Sequence, residues 1–190
     1  MGRWIGVALV ALTLAPLAWP ALGHAQQADA TSVLAASALT EADLPAGLTL
    51  VPDRSGPRPS EQGTPTYLAT FIGNGTGDPP IMGIVNVLSE DPDTSTSVDR
   101  LAERFRTGLG GNPVDLAVPP LGDASRAFTV TNQAMGGAIS VSTAFVALRR
   151  RDVVTAVAVT SLGAAPQSDL AVRLAQSLDG RLAAALQSGA

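Results

Sequence analysis

The sequence has no cysteine, no lysine, one histidine and two tryptophans among its 190 residues. The histidine is His24 and the tryptophans are Trp4 and Trp19, so all three lie near the N-terminus. If residues 1–25 are removed, as argued below, none of these four residue types remains. This excludes Ser-His-Asp and Cys-His catalysis, Schiff-base chemistry, the lysine of a P-loop, and zinc sites built on histidine or cysteine. The sequence therefore indicates no catalytic residue and no cofactor.

Positive charge and aromatic side chains are also scarce. The chain has 12 arginines and 16 acidic residues, so its net charge is −4. Removal of residues 1–25 takes away Arg3 and no acidic residue, which leaves a net charge of −5. An acidic chain without a long basic run is a poor candidate for nucleic acid or for an anionic membrane surface. One tyrosine and four phenylalanines offer few platforms on which bases or sugar rings could stack.

The N-terminal residues have the order of a secretory signal peptide. Arg3 precedes an apolar run over residues 4–19, proline follows, and small residues lead to Ala25. The run is shorter than the ~20 residues that span a membrane. We therefore predict a cleavable signal peptide over residues 1–25 and a secreted or periplasmic protein, with cleavage after Ala30 as the alternative.

The hydropathy pattern predicts a single α+β domain over residues 32–187, preceded by a flexible stretch over residues 26–31. Apolar spacing predicts helices at 32–39, between Thr96 and Gly110, and at 166–186. Strands are predicted at 48–51, 66–72, 81–88, 126–132, 139–148 and 153–161. The Pro- and Gly-rich segment 53–65 is predicted to be an exposed loop. Strands joined by hairpins, with helices inserted between them, favour an antiparallel sheet of about five to six strands with helices packed on it.

Three short stretches carry a resemblance to a known group of proteins. They are Leu44-Pro45-Ala46-Gly47 before a strand, Pro120-Leu121-Gly122-Asp123 before another, and 149–159 followed by the last helix. Over residues 32–187 the chain resembles small exported proteins of high-GC bacteria with the PsbP/Mog1-like or extracellular-sensor-like α/β/α sandwich. The resemblance implies this fold and a ligand- or protein-binding accessory role, and it carries over no catalytic motif.

Arg149, Arg150 and Arg151 are the densest positive charge outside residues 1–25. With Asp152 they are predicted to form a four-residue hairpin tip between two strands. Arginine forks suit carboxylates and phosphates, so this cluster is the candidate site for an acidic partner or an anionic cell-surface component. The alternative interpretation is a solvated tip that Asp152 partly neutralises.

Glu90, Asp91 and Asp93 are the candidate metal ligands. Three carboxylates close to hydroxyl side chains provide the oxygen ligands that calcium prefers. The spacing is not that of an EF-hand, and Pro92 stiffens the segment. The favoured interpretation is structural, because acidic residues before a helix interact well with the positive end of its dipole.

The sequence thus predicts an exported, non-enzymatic binding or accessory module of the envelope or the extracellular space. Its expected partner is an unidentified envelope protein or an anionic cell-surface component, not nucleic acid. Two alternatives stay open. One is a carboxylate-dependent hydrolase, since paired carboxylates hydrolyse glycosides without histidine, cysteine or lysine. The other is a calcium-stabilised structural protein.

Overall fold

The computed structural model describes residues 32–59, 64–74, 80–90 and 97–188. The predicted signal peptide and the stretch 26–31, which was predicted to be flexible, lie outside these residues. The helices are α1 (32–37), α2 (Ser97–Leu109) and α3 (Ser168–Ser188). The strands are β1 (Leu48–Leu50), β2 (Gly56–Pro59), β3 (Pro65–Gly73), β4 (Ile81–Glu90), β5 (Val114–Asp115), β6 (Ala124–Ala134), β7 (Ile139–Arg150) and β8 (Val153–Leu162).

The strands form one antiparallel sheet in the order β1-β3-β4-β8-β7-β6-β5, and β2 also pairs with β3. The α+β class and the antiparallel sheet are confirmed, but eight strands replace the predicted five to six. The strands that sequence patterns missed are β2 and β5, of four and two residues. Both lie at edges of the sheet, where a strand needs partners on one side only and tolerates proline. Because β2 lies within segment 53–65, that segment is not a loop throughout.

The two faces of the sheet are covered by different helices. We call the face beneath α1 and α3 the back face and the face beneath α2 the front face. Alternate residues of β7 separate the two sides: Ala144 and Val146 belong to the back cluster, and Phe145 and Ala147 to the front cluster. Burial on both sides explains why residues 144–148 form a continuous apolar run.

The back face carries the larger core. The leucines of α3 that recur at intervals of four are buried there: Leu170, Leu174, Leu178 and Leu182. Leu34 of α1 and Leu121 of the segment before β6 complete the cover. A buried asparagine ties α1 to the sheet, because the side chain of Asn86 accepts from Leu39 N at 3.1 Å and donates to Ala156 O at 3.0 Å.

The front core lies between α2 and strands β6 to β8. Val98 and Ala102 of α2 are buried against Phe128 and Phe145. The ring of Phe145 lies 4.6 Å from that of Phe105 and 4.8 Å from that of Phe128, measured between centroids. These aromatic contacts hold α2 over one half of the front face.

Candidate functional site

The arginine cluster lies at the β7–β8 hairpin, but the turn is shorter than the predicted four residues. Arg150 pairs with Val153 in the ladder, so Arg149 and Arg150 belong to β7 and the turn consists of Arg151 and Asp152. Arg151 adopts a positive φ of 54°. The structure therefore distributes the three side chains over a strand end and a turn, where neighbouring residues reach them.

Arg150 forms a bidentate ion pair with Asp179 of α3. Its Nε and Nη2 donate to the two carboxylate oxygens at 2.6 and 2.8 Å. Gly122 N donates to the same carboxylate at 3.2 Å. The hydrogen bonds from Arg150 have the largest effect, and together with that from Gly122 N they hold the pKa of Asp179 below its ordinary value. The guanidinium of Arg150 thus fastens α3 to the sheet.

Gly122 must be glycine for this arrangement to form. Its φ is +56°, and a Cβ at this position would come within 2.1 Å of Arg149 O. The tight approach continues at Asp123, whose N–H donates to Arg149 O at 2.7 Å and whose carboxylate accepts from Arg151 N at 2.6 Å. The predicted Pro120–Asp123 motif therefore has a structural role beside the hairpin.

The Arg151 guanidinium also contacts the protein itself, donating to Leu186 O near the end of α3 at 3.2 Å. Two of the three cluster arginines, Arg150 and Arg151, therefore bind carboxylate or carbonyl oxygens of this chain. That use does not test whether the cluster also binds a partner, which stays a prediction. An anionic partner would compete with Asp179 and Leu186 O for the same guanidinium groups.

The predicted metal ligands fall partly outside the described residues. Asp91 and Asp93 are among the residues not described, and Glu90 is the last residue of β4. Burial, and next the nearby carboxylate of Asp152, raise the pKa of Glu90. Within the described ranges, no group of three or more histidine, cysteine, aspartate or glutamate side chains could hold a metal ion.

An open cleft of about 400 Å³ lies between the turn at Asp43–Pro45 and the first half of α3. Arg173 and Ser177 contribute its polar lining. Asp43 itself is engaged, since its carboxylate accepts from Arg181 and from the N–H and hydroxyl of Thr40. Burial raises the pKa of Asp43, but the hydrogen bonds from Thr40 and Arg181 outweigh it and lower the pKa overall. The cleft offers no unengaged carboxylate pair.

The front of β3 and β4 carries apolar side chains that are not part of the front core. We call this surface, made of Leu68, Ile72, Val85 and Val87 with Thr70 opposite Val85, the open face. Register places these residues on the same side as Phe145. Helix α2 packs on β6, β7 and β8, and the cluster beneath it includes no residue of β3 or β4. Three of the four apolar side chains are half-buried, and Ile72 is 42% exposed.

One flank of α2 borders the open face. Asp99 and Arg106 lie on the opposite flank, where they pair with Arg126 of β6 and Asp115 of β5. The helical repeat of 3.6 residues therefore places Arg104 and Gly108 on the flank toward β8 and β4. Both are exposed. On this flank, Gly108 has no side chain, and Arg104 provides a positive charge.

The other border of the open face is β2. Arg58 pairs with Thr66 in the ladder and so projects to the front side. One of its amino groups donates to Asp53 O at 3.0 Å, which leaves the guanidinium on the surface. The open face therefore has Arg104 of α2 on one side and Arg58 of β2 on the other.

The open face was not predicted from the sequence. A signal exists in β4, where Val85 and Val87 alternate with Ile84, Asn86 and Leu88, so that apolar residues occupy both faces. Two apolar faces require two covers, and the single helix α2 is too narrow to cover every strand. Identifying the uncovered strands requires the strand order.

The described part of the chain contains no helix with both the length and the hydropathy of a membrane span. Comparisons with protein-family models, with curated proteins and with solved structures found no match.

Proposed function

We propose that this chain is an exported, non-enzymatic binding module whose open face docks a partner protein. The partner segment carries apolar side chains that cover Leu68, Val85 and Val87. Acidic groups on either side of that segment meet Arg58 and Arg104. The observation that carries this proposal is that no helix among the described residues covers the apolar side chains on the front of β3 and β4. On the back of the same strands, Phe71, Ile84 and Leu88 are fully buried.

Burial energetics support docking at this surface. Apolar area removed from water contributes roughly 25 cal/mol per Å². An exposed group of apolar side chains bordered by polar residues is typical of a protein interaction site, and here Thr70 is the polar residue within it. Where β3 begins and β4 ends, the hydroxyls of Thr66 and Ser89 are hydrogen-bonded to each other, with their oxygen atoms 3.1 Å apart. A partner therefore meets few unsatisfied polar groups there.

The non-enzymatic part of the proposal rests on composition. Beyond residue 25 the chain has no histidine, cysteine or lysine, so the carboxylates and the one tyrosine, Tyr67, are the remaining candidates for acid–base chemistry. The carboxylates of Asp43 and Asp179 are committed to arginines. A hydrolase would instead need two uncommitted carboxylates facing one substrate.

The family resemblance forms part of the same proposal. A sheet with α1 and α3 on one side and α2 on the other supports assignment to the PsbP/Mog1-like α/β/α sandwich. We also propose export through the N-terminal signal. N-terminal sequencing of the secreted protein is expected to start at Gln26, whereas a start at Met1 would contradict export by cleavage.

Site-specific photo-crosslinking in the producing cells tests the docking surface. A photoreactive amino acid at Val85 or Val87 is expected to give the same adduct, whose protein component mass spectrometry identifies. The same group at Thr107, on the outer side of α2, serves as the control. Arg104→Glu is expected to lower the adduct yield several-fold, because it repels an acidic partner.

Two results would contradict the proposal. One is an absence of adduct at Val85 and Val87 above the Thr107 control in protein with a native circular dichroism spectrum. The other is an adduct that contains lipid or polysaccharide instead of protein. A substrate turned over at a rate abolished by one acidic substitution would separately refute the non-enzymatic assignment.

A further inference from the structure

The open face is two strands wide, which is close to the width that one α-helix covers. Neighbouring strands lie about 4.8 Å apart, and a helix with its side chains is about 10 Å across. Helix α2 packs on β6, β7 and β8, and β4 is the next strand after β8. Because packed helices lie about 8–10 Å apart, a helix beside α2 would lie over β4, with side chains that reach β3.

The backbone of the sheet favours a helix over an extended segment at this position. A strand adds to a sheet at an edge, where N–H and C=O groups are free to pair. The edge beyond β3 is protected, since Leu50 N donates to Glu41 Oε1 at 2.7 Å and β2 contains Pro57 and Pro59, which have no N–H. An extended segment laid across the open face would leave its own backbone groups unpaired, whereas a helix pairs them internally.

The polar residue within the open face is compatible with such a cover. The Thr70 hydroxyl donates to Arg54 O at 3.2 Å, so a helix above it would leave no unpaired hydroxyl. On either side of Thr70 in β3 are Leu68 and Ile72, whose positions lie about 14 Å apart along the strand. That length corresponds to about nine residues of a helix.

Arg104 lies at mid-height on the flank of α2. The helix contacts β6 near both of its ends, since Asp99 pairs with Arg126 and Leu109 O accepts from Asn132 Nδ2 at 2.9 Å. Arg104 is halfway between Asp99 and Leu109 and is exposed. It forms no ion pair within the part of the chain that the structure describes, so its charge is available to a partner.

The two arginines that border the open face are offset along the strands. The middle of the β6 stretch beside α2 is Thr129, which the ladders through β7 and β8 bring level with Ile84 of β4. Arg58 is instead level with Ser89, five residues further along β4. The offset is about 17 Å along the strands, which corresponds to about eleven residues of a helix.

Resting on the proposed docking function, we further propose that the partner covers the open face with one amphipathic α-helix beside α2. The helix has at least three turns and lies roughly along the strands, with its apolar stripe on the open face. An acidic residue on one flank of the stripe meets Arg104. A second acidic residue, about eleven positions away on the other flank, meets Arg58. Acidic flanks are required because both borders of the open face carry positive charge.

The spacing of cross-links along the partner tests the helix. A photoreactive amino acid replaces Leu68 in one protein and Ile72 in another, and fragmentation mass spectrometry identifies the partner residues that each one labels. In a helix the two sets of labelled residues should be about nine positions apart, and residues labelled from one site should be three or four apart. In an extended segment the two sets would be only about four positions apart.

Exchange of charge between the two proteins tests the orientation of the helix. Arg58→Glu and Arg104→Glu should each lower the adduct yield from Val85 several-fold. Changing one acidic residue of the partner to arginine should restore each yield, and the two restoring positions should be about eleven residues apart. Arg173→Glu, at an exposed arginine of α3, is the matched control and should leave the yield unchanged.

The outcomes separate this inference from the proposed function. A protein adduct whose labelled residues are about four positions apart, or lie in two unconnected segments, overturns the helix and leaves docking at the open face intact. Equal yields from the unaltered protein and a natively folded Arg58→Glu protein overturn its orientation. No protein adduct at the open face contradicts the docking function, and the helix with it. The spacing measurement decides even where an arginine variant fails to fold, because it needs no change of charge.

Discussion

Asp179→Asn is the most informative single change, because it tests whether the arginine cluster stabilises the fold. The substitution keeps the shape of the side chain and removes the negative charge of the carboxylate that accepts both hydrogen bonds from Arg150. The exposed fractions are 30% for the Arg150 side chain and 16% for Asp179, so water screens this pair only in part. Hydrogen bonds to charged groups contribute about 1.5–3 kcal/mol each when well shielded. After allowance for partial exposure we expect a total loss of about 2 kcal/mol.

The assay is urea unfolding and thermal unfolding of both proteins across pH. For a chain of this size, about 2 kcal/mol corresponds to a fall of about 4–8 °C in Tm. The pKa of Asp179 is lower in the folded state than in the unfolded state. Its contribution is therefore complete above the unfolded value of about 3.9 and is lost as pH falls through the folded pKa. The difference between the two proteins should be constant near neutral pH and shrink in acid.

The control is Asp99→Asn. Asp99 forms an ion pair with Arg126 in which both side chains are more than half exposed, at 54% and 55%. Such a pair is expected to contribute no more than about 0.5 kcal/mol. Equal losses in the two variants would refute the claim that Arg150 fastens α3 to the sheet. They would also strengthen the prediction that the cluster serves a partner.

Three further predictions concern the core and the buried polar groups. Phe145→Ala should lower the free energy of unfolding by about 3–5 kcal/mol, since it removes a fully buried ring between two others, as measured by urea unfolding. Glu90→Gln should stabilise the protein near neutral pH and have no effect below the unfolded pKa. Burial and Asp152 raise the pKa of Glu90 in the folded state, so ionisation costs stability as pH rises, and Tm against pH measures this. Asn86→Ala should cost about 1–3 kcal/mol by leaving Leu39 N unpaired, and hydrogen exchange at Leu39 should accelerate.

The local elements were largely predictable from the sequence. The apolar residues Val98, Leu101, Phe105 and Leu109 recur at helical spacing, and the helix ends before two glycines with positive φ, at 110 and 111. The leucines that recur every four residues in α3 likewise mark the side that is buried against the sheet. These signals are reliable because the periodicity of an element and its end residues depend on neighbours within a few positions.

The site-level predictions were harder because their partners are distant in sequence. Arg150 and Asp179 are 29 residues apart, so no local pattern indicated that this arginine is engaged inside the protein. The calcium prediction at Glu90, Asp91 and Asp93 stays untested, with two of its ligands outside the described residues. Short edge strands such as β5 also gave no signal, because a two-residue strand exists only through its pairing with Phe128 and Thr129.

By itself, the sequence determined the class of the fold, the places of its long elements and the poverty of reactive side chains. These properties follow from composition and from short-range periodicity. The tertiary structure alone decided which strands lie next to each other, and hence that no helix among the described residues packs in front of β3 and β4. Strand order is a long-range property, since β4 pairs with β8 through residues such as Asn86 and Val157 that are far apart in the chain. The surface proposed to bind a partner therefore exists only in the assembled sheet.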